Sequence, residues 1–80
     1  KKQRGVAYMS KLINDLVGKQ CIIRSEFIFS FAGKTELSCK IIDADDEWIK
    51  ICYTEKKDKQ VVKLMRIENI ESIEEQQVLF

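Results

Sequence analysis

The segment that most constrains the fold spans residues 64–74. Arg66 ends a run in which apolar and polar residues alternate, and isoleucine then recurs at Ile67, Ile70 and Ile73 between acidic and amide residues. Alternation with period two is the pattern of a strand with one buried face. The spacing therefore predicts a strand that bends sharply into a second, short strand.

Earlier segments of the chain have the same strand character, because they are rich in β-branched and aromatic residues and are separated by short turns. These features predict strands at residues 19–25, 36–43, 48–54, 60–66 and 70–74. Phe27, Phe29 and Phe31 also alternate with period two. Residues 26–34 are therefore expected to form either more strand, with the three rings on one face, or a loop.

The N-terminal part has helical rather than strand spacing. Its apolar residues are Met9, Leu12, Ile13, Leu16 and Val17. This spacing predicts a short amphipathic helix over residues 9–17, with Ser10 as N-cap and Gly18 as the left-handed residue that ends it. Such a short helix needs a surface to pack on, and we expect it to cover one open side of the sheet.

One helix followed by five short strands with hairpin-length connections predicts a mainly β domain. We expect a five-stranded, strongly bent SH3-like barrel with the N-terminal helix over one open end. Eighty residues are too few for two cores. We interpret residues 9–75 as this single domain, residues 1–8 as a native or remnant tail, and residues 76–80 as a C-terminal tail.

Composition argues against several kinds of function. Fourteen basic and thirteen acidic residues give a charge near zero, so any nucleic-acid site must be local. Histidine is absent, and no nucleophile has an identifiable base, so we expect no enzyme activity, no metal, no cofactor and no small-molecule substrate. No apolar run approaches the roughly eighteen residues of a membrane span, so no membrane partner is expected.

The cysteines and the acidic turn both have simple structural interpretations. Cys21, Cys39 and Cys52 lie in separate apolar runs, which is typical of reduced core residues and favours a cytoplasmic protein. Residues 43–47 contain four carboxylates but lack the central glycine and closing glutamate of a calcium loop. We predict a solvated hairpin turn there.

Two segments carry a resemblance to a known family. Residues 39–51 are similar to the first motif of the Sm-like (Sm, LSm and Hfq) superfamily, and residues 65–73 follow the spacing of its second motif. The resemblance implies rings in which the fourth strand pairs with the fifth strand of the next subunit, and binding of single-stranded RNA. Arg66 matches the arginine of the second motif, whereas Ile49 and Ile67 replace the asparagine and glycine that the family uses at its base pocket.

Two functional hypotheses follow. In the first, the protein is a homo-oligomeric RNA-binding module in which one arginine meets a base, lysines meet phosphates and an aromatic ring stacks; the candidates are Arg66, Lys63, Lys56, Lys57, Lys59 and Trp48. In the second, it is an SH3-like homo-oligomerisation or protein-interaction domain without nucleic-acid binding. The candidate interface residues are Val62, Leu64, Ile70, Ile73, Phe27, Phe29 and Phe31.

Overall fold

The computed structural model describes residues 11–76. Five antiparallel strands form one sheet in the order β4-β3-β2-β1-β5. The elements are β1 (Gln20–Arg24), α1 (Glu26–Ala32), β2 (Glu36–Ala44), β3 (Trp48–Glu55), β4 (Lys59–Arg66) and β5 (Ser72–Glu75), with single 3-10 turns at Lys56–Asp58 and Ile67–Asn69. The five strands predicted from the sequence are therefore confirmed, with their ends moved by one or two residues.

The sheet is open, so the prediction of a closed barrel is wrong. Among residues 11–76, strands β4 and β5 lie at opposite edges of the sheet, and each pairs with one neighbour only. Helix α1 places the fully buried Ile28 against the core, which supplies the second layer that a barrel obtains by closing on itself. Within this part of the chain, both edges therefore keep backbone groups without a strand partner.

A bulge bends the middle of the sheet. Ile41 pairs with Ile51 and Asp43 pairs with Lys50, so Ile42 is an extra residue in β2. A bulge increases the local twist and turns the strand. Ile42 points outward, as the alternation of β2 requires, and is 40% exposed, while Ile41 at the preceding position is fully buried.

Residues 26–34 contain a helix, so neither alternative predicted for them, strand or loop, is correct. The Ser25 hydroxyl caps the helix by accepting the Phe27 N–H at 3.1 Å, and it donates to the Asn69 carbonyl at 2.6 Å. Gly33 ends the helix with φ +75°. The three phenylalanines do not share a strand face, because the helix buries Ile28 between them and leaves Phe29 61% exposed.

The predicted N-terminal helix is only partly covered by the described residues. Residues 11–14 are helical, a turn follows, and Gly18 has the expected positive φ of +90°. Ile13 is buried in the core, and Leu16 and Val17 pack against it. Met9 and Ser10, like the C-terminal residues 77–80, lie outside the described residues.

The core lies on the inner face of the sheet. It follows the period-two alternation of the strands, so that Leu37, Cys39 and Ile41 of β2 all point inward as predicted. Ile70 is only 7% exposed and belongs to this core. Ile70 is one of the residues predicted for an oligomer interface, and its own chain already covers most of its side chain.

The three cysteines are free, and two of them are core residues as predicted. Cys21 and Cys39 are cross-strand partners on the inner face and have no exposed area. Burial raises the pKa of the Cys39 thiol to about 12. Cys39 therefore stays protonated at neutral pH and behaves as a small apolar residue.

Candidate functional site

Strand β4 separates the candidate residues onto two faces. Val61, Lys63 and Met65 point inward, whereas Val62, Leu64 and Arg66 point outward, because successive side chains alternate. This is the alternation that the sequence predicted. The strand is at the edge of the sheet, so its outward residues are open on the side away from β3 as well.

The outward residues of the β3–β4 hairpin form a surface that we call the outer patch, defined as Trp48, Lys50, Val62, Leu64 and Arg66. Trp48 lies opposite Arg66, and Lys50 lies opposite Leu64. Leu64 is 52% exposed, Val62 59% and Trp48 38%. The outer patch therefore combines exposed apolar side chains with two cations.

Arg66 and Trp48, two of the predicted RNA-binding residues, are brought into contact. The Arg66 guanidinium carbon lies 5.1 Å from the centroid of the Trp48 ring, within the range of a cation–π interaction. The Arg66 Nε also donates to the Glu68 carboxylate at 3.2 Å. Arg66 thus lies between an aromatic ring and a carboxylate of its own chain.

The acidic turn before β3 holds Trp48 in place. One carboxylate oxygen of Asp45 accepts the N–H groups of Glu47 and Trp48, both at 2.8 Å, and the Asp45 N–H donates to the Trp48 carbonyl at 2.9 Å. The two hydrogen bonds that Asp45 accepts lower the pKa of its carboxyl group. The predicted hairpin turn is confirmed, and it fixes the start of the strand that carries the tryptophan.

A shallow depression opens beside the tryptophan. Its volume is about 140 Å³, and its lining residues are Asp43, Ala44, Asp45, Trp48, Lys50 and Leu64. Drug-sized ligands occupy pockets of about 300–1,000 Å³, so this depression holds only part of a ring or a side chain. It is suited to an edge of a larger ligand that also covers the outer patch.

Lys63 lies apart from Arg66, on the inner side of the same strand. Its ammonium nitrogen is 4.3 Å from the centroid of the Phe31 ring. Phe31 contacts Phe27 edge to face at 5.6 Å between centroids and Tyr53 at 5.9 Å. Lys63 therefore belongs to an aromatic cluster between helix α1 and the edge strand.

The three remaining predicted RNA-binding lysines lie at the tip of the β3–β4 hairpin, apart from both Arg66 and Lys63. Lys56, Lys57 and Lys59 are exposed, and Lys57 has a positive φ of 63°. The tip pairs Glu55 with Lys59, seven residues along β3 from Trp48. At about 3.3 Å per residue the separation is roughly 23 Å, so one short ligand cannot contact both ends.

The two sheet edges carry opposite charge. Strand β4 contains three basic residues and no acidic one, and β5 contains two acidic residues and no basic one. Glu71, which precedes β5, adds a further carboxylate. Of the predicted interface residues, Val62 and Leu64 are exposed on β4, and Ile73 is half-buried on β5.

Strand periodicity alone does not identify two of the residues at this site. Glu68 contacts Arg66 from a 3-10 turn whose geometry no strand pattern predicts. Lys50 alternates outward on β3 and is exposed, and it also lines the depression beside Trp48. The bulge at Ile42 brings Lys50 opposite Asp43, and no residue type in β2 marks that bulge.

Within residues 11–76, no group of three or more metal-ligating side chains is close enough to hold an ion, and no helix is both long and apolar enough to cross a membrane. Comparison with protein-family models, with characterised proteins and with solved structures finds no match. The surface features of the chain therefore provide the basis for a functional proposal.

Proposed function

We propose that this chain is an Sm-like module that assembles with copies of itself by adding strand β5 of one subunit to strand β4 of the next. The observation that supports this most directly is the pair of open, oppositely charged edges on one small sheet. Edge strands expose unpaired N–H and C=O groups, which favour pairing with another chain.

The two edges are different surfaces, so the contact is head-to-tail. A head-to-tail contact produces a closed ring when the rotation between subunits closes, and a filament when it does not. The Sm-like resemblance favours the ring. Assembly also provides apolar burial that a chain of eighty residues has difficulty supplying alone.

One alignment of the two edges places complementary side chains together on the inner face. With Val61 opposite Ile73 of the next subunit in antiparallel pairing, each neighbouring position on that face joins a cation to a carboxylate. The pairs are Lys59 with Glu75 and Lys63 with Glu71. Cross-strand pairs of opposite charge and apolar pairs each contribute about 0.2–1 kcal/mol.

Native mass spectrometry at two protein concentrations and two salt concentrations tests the assembly. We expect a closed oligomer that is weakened by salt, because the edges attract through exposed charges. A monomer at all concentrations contradicts the proposal. A dimer that joins two β4 edges or two β5 edges also contradicts it, since the proposed joint pairs unlike edges.

A charge-exchange experiment tests the joint more sharply. One variant carries Lys59→Glu and Lys63→Glu on β4, and the other carries Glu71→Lys and Glu75→Lys at β5. Each alone places like charges across the joint and should assemble poorly. Mixed in equal amounts, the two variants should assemble in alternation, because every joint between unlike variants has opposite charges, and rings with an even number of subunits or open chains contain only such joints. Failure of the mixture to form either contradicts the β4–β5 contact.

A second function, binding of single-stranded RNA on the outer patch, is favoured by the stacked pair Arg66 and Trp48. An exposed tryptophan beside an arginine is a combination that accepts a base and its phosphate. In an assembly the outer patch is repeated in every subunit. Several weak sites then act on one strand, which compensates for the low net charge of each chain.

Trp48 is the only tryptophan, so its fluorescence reports on this site alone. We expect oligouridylate or oligoadenylate to quench it, with an affinity that falls as salt rises. Arg66→Ala should lower the affinity about tenfold or more. Arg24→Ala is the control, because Arg24 is also an exposed arginine in an ion pair, with Glu36, but is on β1. Equal effects of the two variants contradict a site at Trp48.

A further inference from the structure

We infer that Glu68 limits access of a ligand to the Trp48 ring by holding Arg66 across it. The inference rests on the proposed RNA function of the outer patch and adds a regulating residue to it. Three side chains form the arrangement: the ring of Trp48, the guanidinium 5.1 Å from its centroid, and the carboxylate 3.2 Å from the arginine Nε.

The backbone fixes Glu68 next to Arg66. Glu68 lies in the 3-10 turn Ile67–Asn69. Ile67, the first residue of this turn, is 1% exposed, and its N–H donates to the Glu47 carbonyl at 2.8 Å. Ile70 follows the turn, and its N–H donates to the Ile67 carbonyl at 3.0 Å. Buried residues on both sides of Glu68 therefore hold its carboxylate in reach of the arginine.

The contact affects a ligand in two ways. The guanidinium covers part of the ring face on which a base would stack. The carboxylate compensates the arginine charge and repels a phosphate that approaches the same group. A nucleotide must therefore displace the guanidinium from the ring and bind next to a negative charge. Removing that charge should make binding tighter, although Glu68 itself contacts no ligand.

Glu26 offers a matched control. It is exposed on helix α1, outside the outer patch and the proposed β4–β5 joint, and within residues 11–76 it takes part in no ion pair. Glu68→Gln and Glu26→Gln remove the same charge and change the net charge equally. A general effect of charge on a polyanion should appear in both variants, whereas release of Arg66 should appear only in Glu68→Gln.

The first measurement uses the protein without RNA. Acrylamide, a neutral quencher, reports how much of the Trp48 ring is accessible. We expect Glu68→Gln to raise the quenching constant towards the value of Arg66→Ala, and Glu26→Gln to leave it at the wild-type value. Circular dichroism of each variant checks that the fold is retained, which we expect because both glutamates are exposed.

The second measurement titrates the same variants with oligoadenylate at low salt. Glu68→Gln should bind about two- to fivefold more tightly than wild type, the range expected from loss of one exposed ion pair. Equal changes in Glu68→Gln and Glu26→Gln, or weaker binding by Glu68→Gln, overturn the inference and leave the RNA function standing. No binding by any variant removes the RNA function and the inference together.

Discussion

The two faces of the β3–β4 hairpin both carry apolar side chains, but these side chains differ sharply in their exposed fraction. On the inner face, Ile49, Ile51 and Met65 are at most 1% exposed. On the outer face, Val62 and Leu64 are more than half exposed and lie beside Trp48 and Arg66. Packing explains the hydrophobic residues on the inner face, whereas Val62 and Leu64 on the outer face keep more than half of their surface exposed in a single chain.

This difference separates the residues that packing explains from the apolar residues that packing leaves exposed. Scattered apolar residues on a surface need no explanation. A group of them on an edge strand does, because exposed edges with apolar side chains promote association. The inner face should therefore respond to substitution through stability, and the outer face through assembly or binding.

Thiol reactivity gives the largest contrast between the faces. Cys39 points into the core, whereas Cys52 on β3 is on the outer side and only partly covered. With a pKa of about 12, Cys39 is ionised in only about one molecule in ten thousand at pH 8. We expect Ellman's reagent to modify Cys52 rapidly and the two buried thiols at least about a thousandfold more slowly.

Counting the thiols checks this prediction. One equivalent should react in the native protein, and three should react in guanidinium chloride. Cys52→Ser should abolish the fast phase. Two or three fast equivalents in the folded wild type would mean that the inner face is open to solvent.

Two consecutive residues of β4 allow a direct comparison of the faces. Met65→Ala removes a side chain that is 1% exposed and should lower the free energy of unfolding by about 2–5 kcal/mol. Leu64→Ala removes one that is 52% exposed and should change it by only about 0.5 kcal/mol under conditions where the protein is monomeric. Urea unfolding followed by circular dichroism measures both.

Equal losses from the two substitutions would contradict the assignment of faces. A large loss from Leu64→Ala that appears only at high protein concentration would instead favour the proposed assembly. In that case the apparent stability includes the free energy of association.

The sequence predicted the strands and their faces because both depend on local periodicity. The alternation of Val61, Lys63 and Met65 with Val62, Leu64 and Arg66 is visible in the sequence and is unchanged in the structure. The prediction from local periodicity was wrong at residues 26–34, where alternating phenylalanines suggested a strand face. The signals for a helix were also present, in the capping Ser25 and the glycine after Ala32. Burial of Ile28 decided between the two patterns, and burial depends on the whole fold.

The candidate site was predicted less completely. Arg66 and Trp48 were selected separately, but their contact depends on pairing across the hairpin, which follows from the register of β3 and β4. The sequence could not predict that Lys63 lies near Phe31, because this contact requires helix α1. Closure of the sheet was also beyond local patterns, since it depends on whether β4 and β5 meet each other or remain edges.

Substitutions of two exposed apolar residues at different locations should affect self-association to different extents. Leu64→Glu places a charge at the β4 edge, and we expect it to weaken self-association by about tenfold or more, because the charge loses solvation in the joint. Phe29→Glu is the control on helix α1, where the side chain is 61% exposed. Sedimentation velocity over a range of concentrations measures both. Equal weakening would place the joint elsewhere than at β4 alone.

The smallest expected effect concerns the turn that positions Trp48 on the outer face. The pKa of Asp45 is lowered by the N–H groups of Trp48 and Glu47, so the folded protein binds this proton less readily than the unfolded chain does. The stability that Asp45 adds is therefore present above the unfolded pKa, near pH 4, and is lost as the pH falls through the lower, folded pKa.

Asp45→Asn keeps an oxygen acceptor but cannot titrate. We expect its melting temperature to be below that of wild type at pH 7 and to approach it as the pH falls below the unfolded pKa of about 4. Asp46→Asn removes a charge from the same turn without those hydrogen bonds, so the two variants should differ at pH 7. If they do not, the Asp45 contacts do not stabilise the start of β3, and the orientation of Trp48 must depend on Arg66 and the strand register instead.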